Sequence, residues 1–415
     1  MLNIDDITPS DWTPEEDSII KVIGVGGGGC NAVNYMFNQK IEGCSFIVCN
    51  TDSQALNKCD VPVKIQLGSG LGAGTDSTAG RNAALDSQDI IAEKVLGSNT
   101  EMLFITAGMG GGTGTGAAPV IAAMAKKKGI LTVGVVTLPF RSQGNETMMR
   151  AINGINELEK DVDSLLIIDN EKLLEVYGED LLQDAFPKAD EVLATAVKGI
   201  TEIIKKRGYI NVDFNDVRTM MKDGGYALMG CGVGSGENRI QDAVKKALES
   251  PLLRDYDLTT ARSFLINITV GRNAQGVTAK QFGEITSSIQ KYTGRANNFK
   301  SGLVFDDSQE FGDKVSITVI VTGIKMNILP HHDSENIIVI DDNFVFNREV
   351  AQREGIELPD VRSEKIGYNN VSNRKKNIFK DGEKPALLAS EYENLSYLEN
   401  NAAIRRKAGE KKGNR

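Results

Sequence analysis

The chain alternates between short, nearly unbroken apolar runs and longer segments with apolar residues every three or four positions. Residues 19–25 (IIKVIGV) read as a buried strand that passes into a glycine turn and then a helix with Ala32, Val33 and Met36 on one face. Residues 45–49 (SFIVC) read as a second strand, ending at Asn50, Thr51 and Asp52. Strand, helix, strand at this spacing is a βαβ unit, whose expected setting is a parallel sheet with right-handed crossovers.

The pattern repeats. Residues 102–106 form a strand, a glycine loop follows, and a helix is expected over 116–128, with a basic last turn closing on Gly129. ILTVGVVTLPF and SLLIIDN supply two more strands. None of these runs alternates strictly, as expected of parallel strands covered on both faces. A polar extension, 1–18, precedes this first domain, 19–186. Val192, Leu193, Ala196, Ile200 and Ile203 recur at helical spacing and predict a long helix over 189–206, the core of a central link spanning 187–208. A loop and connection, 209–235, leads to a smaller α+β domain, 236–325, with a helix over 240–249, strands at 263–270 and 315–321, a helix near 278–291 and an edge-like piece at 301–305. The charged, Asn-rich stretch 326–390 reads as a flexible linker, and the tail 391–415 holds a short amphipathic island, LSYLENNAAIRRK, of the kind that binds partners.

Composition narrows the function. With 415 residues, 40% hydrophobic and 25% charged, the chain can build more than one domain. No run reaches the roughly 18 to 20 apolar residues of a membrane span, and the acidic start does not resemble a signal peptide, so a cytoplasmic protein is expected. A net charge of -9 argues against general nucleic-acid binding, although the last residues are basic. Cys30, Cys44, Cys49, Cys59 and Cys231 lack metal-ligand spacing and read as reduced packing residues. The adjacent pair His331 and His332 supplies all the histidine, which excludes His-based triads.

The 43 glycines cluster. Gly24, Gly26 and Gly29 satisfy GxGxxG between strand and helix, with Asp52 at the end of the next strand, but a glycine run meets that spacing trivially. Gly108 to Gly116, with Thr113 and Thr115, offers amide donors and two hydroxyls at another strand-to-helix junction, which suits an oligophosphate better than one pyrophosphate bridge. Gly68 to Asp76 is a third such piece, placed to cover the outer phosphate. There is no GxxxxGK[ST], so this is not a P-loop protein.

GVGGGGCNAV at 24–33, NTDSQAL at 50–56, GLGAG at 70–74, GMGGGTGTGAAP at 108–119 and NVDFNDVRTMM at 211–221 together resemble the FtsZ family of the tubulin superfamily, with a weaker likeness through GYALMGCGVGSGENR and ESPLL to about residue 325. The resemblance implies an α/β fold with a mostly parallel GTPase domain, a long central helix, a smaller α+β domain and a flexible tail. It also implies a GTPase that polymerises head to tail and forms a division ring, binding GTP or GDP with Mg²⁺ held mainly through phosphates and water. Carried over residue by residue, Gly26, Gly27, Gly28, Gly29, Gly110, Gly111, Gly112, Gly114 and Gly116 would surround the phosphates, with Thr113 and Thr115 adding hydroxyl contacts and Gly72 and Ala73 on the γ-phosphate side, and Asn31 and Asp52 would also belong to the nucleotide site. Pro139, Gln143 and Thr147 would lie along the ribose and phosphate loop, Phe186 would stack on the base, and Asp190 would read the guanine edge. On residue chemistry alone, Asp190 could instead be a helix-start cap.

Asn211, Asp213 and Asp216 read from sequence as turn and cap residues far from the glycine loops. The resemblance implies instead that their loop enters the next subunit's nucleotide site, where the two aspartates orient the attacking water and Asn211 assists. The family pattern commonly has Glu and Arg where this chain has Gln143 and Thr147, a departure that puts affinity and turnover in doubt and leaves Arg141 and Arg150 as substitute cations. The alternative is a GTP-binding relative with weak hydrolysis that co-assembles with or regulates a division filament. A nicotinamide or flavin oxidoreductase would leave GGGTGTG unexplained. The tail departs from the family pattern but is expected to dock on an actin-like membrane-tethering division protein, making membrane contact indirect.

Overall fold

The computed structural model describes residues 18–172, 182–205, 212–250, 253, 258–271, 276–293, 298–306, 311–324, 337–341 and 344–347. The described residues of Met1–Ser142 and Arg150–Lys325 form one compact unit, and those of Gln143–Met149 and Met326–Arg415 another.

The first unit is organised by a ten-stranded sheet. Its strands are β1 (Ile20–Val25), β2 (Ser45–Asn50), β3 (Val63–Gln66), β4 (Met102–Gly108), β5 (Leu131–Leu138), β6 (Ser164–Asp169), β7 (Gly225–Gly234), β8 (Ser263–Gly271), β9 (Asn298–Asp306) and β10 (Val315–Thr322). Their order is β3-β2-β1-β4-β5-β6-β7-β10-β8-β9. β1 to β6 are mutually parallel. β1 is buried along its whole length and β4 almost so, which explains their unbroken apolar character. The second half of the sheet is mixed: β10 runs antiparallel to both β7 and β8, while β8 and β9 are parallel. The two halves join through three residue pairs between β6 and β7, Ser164 with Gly225, Leu165 with Tyr226 and Leu166 with Ala227.

The helices are α1 (Gly26–Asn38), α2 (Ser53–Asn57), α3 (Ser77–Asp86), α4 (Gln88–Lys94), α5 (Gly112–Lys127), α6 (Asn145–Glu159), α7 (Leu182–Lys205), α8 (Phe214–Met221), α9 (Arg239–Leu248) and α10 (Ala279–Thr293). In α7, Leu193, Ala196, Ile200 and Ile203 of the predicted stripe are buried in the core, Val192 is half-buried against it, and Val197 is buried as well. α7 begins well before 189, so Asp190 sits inside the helix and the helix-start reading of that residue does not hold. α5 likewise begins at Gly112 rather than 116. Glycine's low helix propensity is outweighed there by close backbone contact with α3 and the loop before it: a Cβ at Gly112 would lie 2.7 Å from the Gly74 carbonyl oxygen, and one at Gly116 would overlap that of Ser77.

Several elements escaped the pattern reading, among them α2, β3 and α6. α8 occupies part of the expected connection, and β7 carries Gly230, Gly232 and Gly234 on the face where a Cβ would strike the α9 backbone. In the second unit, β11 (Ile337–Asp341) and β12 (Phe344–Asn347) pair antiparallel within the stretch read as linker. IIVID and FVFN flank Asp342-Asn343, a hairpin signature that the surrounding polar residues obscured. Among the described residues, no helix is long and apolar enough to cross a membrane.

Candidate functional site

The glycine loops lie at the C-terminal ends of β1 and β4, where open α/β sheets bind ligands. Gly26 opens α1 with a φ of 72°, a conformation favouring glycine, and a Cβ there would stand 2.8 Å from Gly114 N. A Cβ on Gly114 would in turn stand 2.6 Å from the Gly108 carbonyl oxygen, and one on Gly29 would overlap that of Thr106. The first turns of α1 and α5 are therefore pressed together backbone to backbone. The third loop is drawn in by Gly112 N, which donates to Gly74 O at 3.1 Å, and by Gly72 N, which donates to Thr51 O at 2.9 Å.

Gly27 and Gly111 are different. Both are exposed, neither needs a left-handed φ, and a Cβ on either would meet nothing within 4 Å. Nothing among the described residues requires glycine at these positions, while a ligand lying against both helix starts would. The leading amides of a helix lack intrahelical acceptors and carry the positive end of its dipole, so an oligophosphate fits this space by shape and by charge. Gly28 and Asn31 are exposed on the same open side of α1.

Other expected contacts are committed elsewhere. The Thr113 hydroxyl lies 2.6 Å from that of Thr51, and Thr115 Oγ1 accepts from Gly110 N at 2.9 Å. These threonines are 8% and 4% exposed, and their hydroxyls brace the loop from within. Asp52 caps α2, its Oδ1 accepting from Gln54 N at 2.8 Å and Ala55 N at 3.2 Å. Arg150 Nε donates to Gly110 O at 2.9 Å, so its guanidinium reaches the second glycine loop. Arg141 instead lies in an exposed turn, where its backbone amide donates to Glu171. Pro139 is buried just beyond β5, and Ala73 is half-buried. In the second unit, Gln143 is exposed and its carbonyl accepts from Thr147 Oγ1 at 3.1 Å. Asp190 is half-buried in α7, and burial raises its carboxyl pKa to about 7. Phe186 belongs to α7, but its side chain lies outside the described residues, as does Asn211 entirely.

Asp213 and Asp216 form a capping box at the start of α8 rather than lying in an open loop. Asp213 Oδ1 accepts from Asp216 N at 2.8 Å, and Asp216 Oδ2 accepts from Asp213 N at 3.4 Å. Two residues on, Arg218 makes an ion pair with Glu101, which immediately precedes β4. β4 is seven residues long and ends at Gly108. At about 3.3 Å per residue, roughly 20 Å of strand separates the capping carboxylates' edge of the sheet from the glycine cradle. Among the described residues no group of three or more His, Cys, Asp or Glu is placed to hold a metal.

The GTPase-domain profile of the Tubulin/FtsZ family matches residues 19–178, and the FtsZ family C-terminal domain profile matches 225–325. The cell division protein FtsZ of Pseudomonas putida is 43% identical over 402 residues, covering 95% of this chain and 98% of that protein. The chain belongs to the tubulin/FtsZ family. FtsZ of Pseudomonas aeruginosa is 47% identical over 314 residues, 74% of this chain and 78% of that protein. A solved FtsZ dimer from M. jannaschii, described as empty, superposes with a TM-score of 0.69 at 36% identity, covering 84% of this chain and 96% of that one.

The structure also brings forward Asn170, which the sequence reading passed over. It follows β6 directly, on the same sheet edge as the glycine loops, and its Oδ1 is buried with no hydrogen-bond partner among the described residues. An orphaned acceptor at a ligand-binding edge suits a donor from a bound molecule. The readable signal was its place at the end of an apolar strand, the same place that singled out the glycine loops.

Proposed function

We propose that this chain is a self-assembling GTPase that polymerises head to tail into cytoplasmic protofilaments of the division ring. Hydrolysis then occurs where Asp213 and Asp216 of one subunit meet the glycine cradle of the next. The observation that carries this reading is the separation of those two parts across the length of β4, with both on the surface. A single copy cannot bring its own carboxylates to its own phosphates, whereas stacking two copies along the strand direction joins them.

In this reading the first turns of α1 and α5, with the 72–74 loop, hold the phosphates. Ionised Asp190 accepts from N1–H and the exocyclic amine of guanine. The Asp216 carboxyl is held below the usual carboxylate range by Lys300, so it is a weak base suited to orienting an attacking water by accepting its hydrogen bond. Asp213 fixes the turn that presents it, and Asn211 assists positioning. Among the described residues the donor set offers no side-chain cage for Mg²⁺, so the ion would be carried by phosphate oxygens and water, where it would neutralise phosphate charge. The tail would dock on an actin-like membrane-tethering division protein, with GTP or GDP in the cradle and no nucleic-acid role.

Phosphate release and sedimentable polymer, measured together across protein concentration with Mg²⁺, test the reading. Turnover should be negligible when dilute and rise with polymer. GTP binding without concentration-dependent turnover would favour the second reading, a weakly hydrolysing relative that co-assembles with or regulates a division filament. Gln143 and Thr147 are the residues that suggest it.

A further inference from the structure

Asp216 is held from outside its own helix. Lys300 Nζ, on β9 of the second half of the sheet, lies 2.8 Å from Asp216 Oδ1, while Asp216 Oδ2 receives the Asp213 amide. Both carboxylate oxygens are thus engaged, one by the chain's own cap and one by a side chain more than eighty positions away in sequence. Asp216 is about one-quarter exposed at its side chain and Lys300 one-half, so the pair faces solvent on the surface that stacking would close. The other charged groups nearby are Asp213, whose Oδ1 is occupied by the Asp216 amide, and the Arg218–Glu101 pair.

We infer that Lys300 is a positioning residue for hydrolysis: it fixes the rotamer and charge of Asp216 and carries a compensating cation to the subunit junction. The electrostatics require something of this kind. A carboxylate pressed toward a triphosphate meets strong like-charge repulsion in a junction from which water is being expelled, and an ammonium in direct contact with it removes most of that penalty. The contact also spans the two halves of the sheet. It links α8, which follows the central helix, to β9, so the orientation of Asp216 depends on how the second half sits against the first.

The inference rests on the junctional reading above, and the test separates the two. Lys300→Gln and Lys300→Arg are prepared in the full chain and assayed for GTP binding when dilute, for sedimentable polymer, and for turnover per polymerised subunit across pH. Lys300→Gln should bind GTP normally and still assemble, but turn over roughly tenfold more slowly, as expected when a reacting group loses its alignment. The acid limb of its profile should move to higher pH, because Asp216 loses the ammonium that keeps it ionised. Lys300→Arg should restore most of the rate. Equal turnover per polymerised subunit in Lys300→Gln and the unmodified protein would overturn the assignment, as would a Lys300→Arg rate no better than that of Lys300→Gln. Turnover by the unmodified protein that ignores concentration would overturn the junctional reading, and this assignment with it.

Discussion

The Thr51 and Thr113 hydroxyls meet at 2.6 Å inside the protein, joining the end of β2 to the first turn of α5. Both are almost completely buried, so removing one leaves the other without its partner. Thr113→Val should therefore cost about 1–3 kcal/mol of stability and weaken GTP binding by loosening the loop. Denaturant melts and nucleotide titrations on the same preparation measure the two effects.

The glycines divide into those packed against the chain and those facing open space, and the two groups should fail differently. Gly116→Ala drives a methyl group into the Ser77 carbonyl and should lower the melting temperature markedly or prevent folding. Gly27→Ala has room and should fold with little loss, yet bind GTP much more weakly because its methyl group intrudes on the phosphate. Normal GTP affinity in folded Gly27→Ala would remove the phosphate from that side of α1.

Asp190 predicts a pH dependence. Burial raises its pKa to about 7, so the unliganded fold prefers the protonated carboxyl, and that stabilising contribution fades as pH rises through 7. Guanine recognition through two accepted hydrogen bonds needs the ionised form. Affinity for GTP should therefore fall about tenfold for each pH unit below 7 and level off above it. Asp190→Asn should flatten the curve between pH 6 and 8, as read by titration calorimetry.

Arg150 should matter to binding more than to folding. Its Nε holds the Gly110 carbonyl, so Arg150→Met leaves the second glycine loop without that brace. GTP affinity should drop roughly tenfold, the scale of one charged hydrogen bond, with a smaller effect on the melt. A drop in stability as large as the drop in affinity would identify Arg150 as a core brace instead.

The sequence announced the parallel half of the sheet because continuous apolar strands next to glycine-rich helix starts have few other uses. Long-range packing decided what local pattern could not. Gly112 to Gly116 are helical because α3 lies against them, and β7 exists because β6 and β10 flank it and its glycines admit α9. The hydroxyls of Thr113 and Thr115 resemble ligand contacts in a string of letters, but only the fold shows that Thr51 and Gly110 already use them. Asp213 and Asp216 show the reverse: their capping role was readable, whereas Lys300 was not, since nothing local links positions so far apart.

The length of β4 has one more consequence. Because the cradle and the carboxylates occupy opposite ends of the strands, a stack of copies of the kind proposed would have two unlike ends. One terminal subunit would present a nucleotide that no neighbour could attack, and the other would present carboxylates with nothing to act on. The terminal triphosphate at the first end would then be protected by position alone and would mark that end chemically until another subunit arrived.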